Sequence, residues 1–274
     1  MISFTLPIVI LFAVLGSFAG FVAGLLGIGG GIVLVPLFLW SFAVVGFDPE
    51  LIVHTAFGTS LAIIILTAIS STLGHRKRGN VDRHQIVFLG LGGILGAIIG
   101  AWWASLISGD WLMGFFGVMQ IFVAMKMLII HFYMPPERTD KIPPKSLVLV
   151  GMAGGIFSSF FGVGGGVVAV PLMVLVLCLP IHLAVGNSSA LIVISSFFGA
   201  VSYMIHGLHE TSLPLFSIGY VNFMVVLLVA PFTMVMARLG VRVASKTSHD
   251  RLVKIFAILL VFVGCRMIYG AWFS

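Results

Sequence analysis

The sequence predicts an all-α polytopic membrane protein: about ten transmembrane or half-membrane helices in two inverted five-segment repeats with Gly-rich helix breaks. Three observations predict it. Hydrophobic residues make up 60% of the 274 and charged residues only 8%, against roughly 25% charged in a soluble domain. The apolar runs are continuous rather than alternating, and about twice the length that a barrel strand needs. One apolar stretch also occurs twice, since Gly27-Ile28-Gly29-Gly30-Gly31-Ile32-Val33-Leu34-Val35-Pro36-Leu37 returns as Gly162-Val163-Gly164-Gly165-Gly166-Val167-Val168-Ala169-Val170-Pro171-Leu172.

The apolar segments run over about 5–26, 32–46, 51–73, 86–107 and 111–131, then 146–161, 167–180, 182–205, 214–237 and 252–272. The first has no Lys or Arg before it and leads straight into the first glycine motif, so it reads as a membrane segment rather than a signal peptide. The segments at 32–46, 146–161 and 167–180 are shorter than the roughly 20 residues needed to cross the hydrocarbon. They read as half-helices meeting near mid-membrane, where irregular backbone must be buried in protein or line a polar cavity.

The chain divides into a first membrane repeat over 1–133, a cytoplasmic Pro-rich linker over 134–145 and a second, inverted repeat over 146–274. The glycine motifs pair at an offset of 162 − 27 = 135, and Ala56-Phe57-Gly58-Thr59-Ser60 pairs with Ala184-Val185-Gly186-Asn187-Ser188 at 184 − 56 = 128. Arg78-Gly79 keeps that offset with His206-Gly207, and Met125-Lys126-Met127-Leu128 echoes Cys265-Arg266-Met267-Ile268 at 140. A duplicated half accounts for this order, and five segments per half make the second enter the membrane from the opposite side. Basic residues cluster after the third segment (Arg76, Lys77, Arg78, Arg83), in the linker and before the tenth (Arg238, Arg242, Lys246, Arg251), whereas 207–213 has no Lys or Arg. By the positive-inside rule those three loops are cytoplasmic and both termini lie outside. The net charge of +6 thus sets topology, and nucleic acid is not expected as a partner.

Three consecutive glycines let backbone amides converge on one point, although glycines in membrane helices also serve plain close packing. A proline follows each motif at the same distance, so each reads as a break followed by a helix N-terminus, whose free amides and positive dipole end suit an anion. No Asp or Glu falls within the apolar spans, which disfavours a bare cation. The intramembrane polar residues are neutral: Thr59, Ser60, Thr67, Ser70, Ser71, Ser158, Ser159, Asn187, Ser188, Ser189, Ser195 and Ser196. The candidate substrate-binding set is Gly29, Gly30, Gly31, Gly164, Gly165, Gly166, Thr59, Ser60, Asn187 and Ser188, with Pro36 and Pro171 supporting the breaks. Hydroxyls that simply bond their own helix are the alternative for the polar members.

Lys126 and Arg266, matched near the ends of their segments, could pair with an anion or snorkel to the interface. His54 and His182 begin their segments and could mark the interface or couple transport to protons or another ion. The histidines form no metal signature, and no cofactor motif or ATP-binding P-loop occurs. Nor do the apolar spans hold a nucleophile with a base, so the chain is not expected to be an enzyme. Cys178 and Cys265 lie in apolar spans and read as small core residues. Gly92, Gly93, Gly96 and Gly100 form a small-residue face that could pack within the chain or in a homo-oligomer.

Two halves each bearing G-x-G-G-G-x-x-x-x-P, each followed by A-x-G-[TN]-S and a basic or His-Gly loop, resemble the sulfite exporter TauE/SafE family, also called the four-toluene-sulfonate uptake family. The resemblance covers essentially the whole chain. It implies a bacterial-type inner-membrane, multi-pass permease for sulfite, sulfoacetate or related organosulfonates. The residues alone lead to a helical secondary transporter for a small anion held between two Gly-rich helix N-termini, with a passive anion channel of the same fold as the alternative.

Overall fold

The computed structural model describes residues 6–26, 30–129, 142–244 and 249–272, which form ten α-helices and one short β-hairpin. The helices are α1 (Leu6–Leu26), α2 (Gly31–Val45), α3 (Ile52–Lys77), α4 (Arg83–Ser105), α5 (Gly109–Ile129), α6 (Pro144–Phe161), α7 (Gly166–Leu175), α8 (Ile181–His206), α9 (Phe223–Ala244) and α10 (His249–Trp272). Of the linker over 134–145, all before Ile142 lies outside the described residues, as do Gly29 and the extreme ends of the chain.

Helices α1, α3, α4, α6, α8 and α9 are long and apolar enough to cross a membrane. Two differences from the sequence reading have local causes. The sixth segment, expected as a half-helix, is an 18-residue helix because Pro144 occupies its first turn, where no intrahelical amide partner is lost. The ninth starts at Phe223 rather than near 214, because Phe216 and Gly219 adopt left-handed backbone (φ 65° and 53°) and fold 217–222 into a hairpin. Its strands β1 (Ser217–Ile218) and β2 (Val221–Asn222) pair Ser217 with Asn222 and Ile218 with Val221.

Helices α2 and α7, of 15 and 10 residues, begin at the glycine motifs. Gly30 and Gly165 cap them in left-handed conformation, with φ 80° and 70°, which a β-carbon would strain. Most of α2 is buried, and Phe38 and Phe42 stack at 5.3 Å with Phe12 of α1 edge-on to both. Pro36 and Pro171 stand inside their helices rather than at the first position.

The halves interlock through matched contacts. Helix α1 runs along α9 and α4 along α6. A β-carbon at Gly100 would strike the Ile156 carbonyl, and one at Gly240 the Phe21 carbonyl. These pairs correspond, since 240 − 100 = 140 and 156 − 21 = 135. The glycine face of α4 therefore packs within the chain. At the centre α3 and α8 run antiparallel: Ser71 bonds Ser189, while Gly199 lies against Leu61. Equivalent helices running in opposite directions are the signature of inverted repeats.

Candidate substrate site

The glycine breaks meet. A β-carbon on Gly31 would collide with the backbone of Val163, inside the second motif. Gly164, with φ 86°, sits between Ile64 and Ile192, whose Cγ2 atoms would stand 3.0 and 3.1 Å from its β-carbon. These isoleucines match at 192 − 64 = 128. Hydrocarbon thus fills the junction itself, and the polar hollow opens beside it.

That hollow is a cavity of about 500 Å³ bounded by α1, α2, α3, α8 and α9. Gly30 at the cap of α2, Leu34 of α2 and Ile192 of α8 line it together with Thr67 and Ser71, while Arg78, Arg238 and Arg242 belong to its wall. Four lining hydroxyls have their protons engaged. Thr67 donates to the Ile64 carbonyl, Thr233 to that of Ala230 and Ser189 to that of Val185, which leaves Ser71 as donor to Ser189 at 3.1 Å. Donors for a ligand remain at the guanidinium groups, at Ser70 and His75, which also line the cavity, and at the start of α2, whose first amides have no intrahelical acceptor. The guanidinium groups and the helix start favour negative charge.

The opposite end is sealed. Ser195 donates to Ser158 at 3.0 Å and Tyr203 donates to the Ser159 carbonyl at 3.0 Å, all four being buried.

The other expected residues separate into groups. Gly166, the first residue of α7, would place a β-carbon 3.4 Å from Ser188 Oγ. Ser60 and Ser188 are buried, and among the described residues their hydroxyls have no hydrogen-bond partner. Thr59 and Asn187 are instead engaged with backbone: Thr59 accepts the Asn222 N–H at 3.1 Å, and Asn187 accepts the Asp82 N–H at 2.9 Å while donating to Gln85 at 2.8 Å. Asn222 and Asp82 are themselves equivalent, at 222 − 82 = 140, and each accepts amides at the start of α9 or α4. Gly58 and Gly186 beside them admit the carbonyls of Tyr220 and Asn80. The G-[TN]-S stretch is therefore a latch holding the fourth helix of the opposite repeat, with its serine left over.

Lys126 lies over the Phe122 ring at 5.8 Å, Arg266 and His182 are exposed, and none of the three lines the cavity. His54 is buried away from it, with Nε2 3.1 Å from the Ala104 carbonyl and its ring stacked on Tyr220 at 5.1 Å. In the sequence Arg78, Arg238 and Arg242 stand out only as topology markers. Nothing in the sequence singles out Ser71 and Ser189, whose shared wall depends on which faces α3 and α8 turn toward each other.

Comparison with known proteins agrees with this architecture. The family model described as "Sulfite exporter TauE/SafE" matches residues 12–267. The probable membrane transporter protein YunE of Bacillus subtilis is 29% identical, over 97% of this chain and 99% of its own length. A probable membrane transporter protein of Haemophilus influenzae is also 29% identical, over 94% and 97%, and one of Methanocaldococcus jannaschii is 28% identical, over 96% and 95%. No solved structure matches the chain. Apolar helices sufficient for several crossings, a doubled glycine break and a family match over nearly the whole length make one assignment: the chain is a multi-pass membrane protein belonging to the sulfite exporter TauE/SafE family of transporters.

Proposed function

We propose that this membrane transporter is a secondary carrier of a small sulfur-containing anion, such as sulfite, sulfoacetate or a related organosulfonate, working by alternating access in a plasma (bacterial inner) membrane. The substrate class follows from the family description. The observation that carries the mechanism is a cavity with arginines in its wall that reaches the α2 break on one side, while hydrogen bonds between α6 and α8 seal the other. By the positive-inside rule the arginine face is cytoplasmic and both termini lie outside. The anion enters past Arg78, Arg238 and Arg242 and meets the first amides of α2 beside Gly30 and Gly31. Rocking of the repeats then transfers it to the equivalent start of α7, at Gly165, Gly166 and Ser188.

A sealed far side favours a carrier over a passive channel. Purified protein in vesicles should take up labelled sulfite or sulfoacetate with saturation, and internal unlabelled anion should accelerate entry by counterflow. Flux that rises linearly with concentration and shows no counterflow would assign a channel instead. Gly30→Val and Gly165→Val should each abolish transport while the protein still inserts.

A further inference from the structure

We infer that the second half holds a collapsed twin of the open cavity, a guanidinium-free, hydroxyl-lined vestibule on the face opposite the arginines, in which the transported anion is held weakly and released. The inference rests on the carrier reading above and adds the identity of the second binding space and its weaker affinity.

The repeat offsets locate it. Ala23 and Gly24, which line the cavity, correspond at 135 to Ser158 and Ser159; Thr67, Ala68, Ser71 and His75 correspond at 128 to Ser195, Ser196, Gly199 and Tyr203. The first set surrounds a hollow. The second is zipped: Ser195 bonds Ser158, Tyr203 bonds the Ser159 carbonyl, and a β-carbon on Gly199 would strike Ser159 Oγ. Equivalent positions thus occur twice, open where Ala23, Gly24 and His75 stand and shut where Ser158, Ser159 and Tyr203 do.

A second, independent observation is chemical. The hydroxyls of Ser159 and Ser196 are wholly buried and, among the described residues, have no hydrogen-bond partner. Buried polar groups are normally satisfied, because desolvation without a bond is costly. Two orphan hydroxyls, at the equivalents of the cavity-lining Gly24 and Ala68, belong to a conformation in which the seam parts and they meet water or an anion.

The twin differs from the original in charge. Arg78 corresponds to His206 at 128, and Arg238 and Arg242 correspond to Ile98 and Trp102 at 140. Glu210 follows α8 on that face, held by the Tyr220 hydroxyl at 3.0 Å; burial first, then the carboxylate, pushes that phenol up to about 12, so it remains a donor. Guanidinium groups concentrate anions at one mouth and are lacking at the equivalent positions of the other. An equilibrating carrier must keep the ratio of maximal rate to KM equal in both directions. The arginine face therefore combines the lower KM with the lower maximal rate.

The test uses the full chain in oriented vesicles, with sulfite and sulfoacetate as probes and KM measured from each face at low and high ionic strength. A KM several-fold lower on the arginine face at low salt, with the gap closing as salt screens the mouth, is the expected result. Equal KM values on both faces at low salt overturn the inference while leaving the carrier reading intact, since counterflow tests that reading separately. A second variant addresses the vestibule directly. In a Cys178→Ser, Cys265→Ser background, Ser196→Cys should react with an impermeant maleimide added opposite the arginine face. Adding Ser158→Cys and Ser195→Cys and oxidising the pair should block that labelling, and reduction should restore it. Labelling that is absent throughout, or that persists after oxidation, overturns the vestibule.

Discussion

Gln120 supplies the hydrogen bond that Pro36 cannot. Proline has no N–H, so at the sixth position of α2 it leaves the Ile32 carbonyl, four residues earlier, without its helical donor. The side chain of Gln120, fully buried on α5, donates Nε2–H to that carbonyl at 3.0 Å. A break that would otherwise cost a dry, unpaired acceptor is thus tied to a third helix. Gln120→Leu should destabilise the protein by about 1–3 kcal/mol, read as a fall in thermal unfolding temperature in detergent. Pro36→Ala in that background should recover much of the loss, and a double-mutant cycle with no coupling would disprove the pairing.

Thr59 and Asn187 should act on stability before transport. Thr59→Val and Asn187→Leu keep the branching of the side chain but leave the Asn222 and Asp82 amides without acceptors. Each should lower unfolding free energy by about 1–3 kcal/mol, and the surviving folded fraction should still bind anion.

Ser188→Ala should separate stability from activity. Its hydroxyl is buried without a partner, so removing it should leave thermal stability unchanged or raised. Transport should fall about ten- to a hundredfold, the loss of one charge-assisted hydrogen bond to the anion being about 1.5–3 kcal/mol. Undiminished transport would remove Ser188 from the site.

Arg238→Gln should raise KM measured from the arginine face several-fold and flatten its dependence on ionic strength, because the lost attraction is the part that salt screens. The maximal rate should change less. The two effects are distinguished by initial-rate measurements at several salt concentrations.

Ten helices, their approximate ends and their grouping into two related sets follow from apolar runs, the doubled glycine motif and three repeat offsets, all of them local or periodic properties of the chain. The latch was half legible. The equivalence of Gly58-Thr59-Ser60 and Gly186-Asn187-Ser188 stands in the sequence, but which hydroxyl bonds backbone and which is left over depends on where the loops at 80–82 and 220–222 arrive. Likewise Arg78, Arg238 and Arg242 are spread over 165 positions (242 − 78 = 164 apart), and only the packing of α3 and α9 brings them to one cavity. Sequence determined what is repeated, because apolar length and glycine content are properties of each segment alone. Tertiary structure decided that one copy encloses a hollow and the other is shut, because the bonds from Ser195 to Ser158 and from Tyr203 to Ser159 form only where α6 and α8 are brought together.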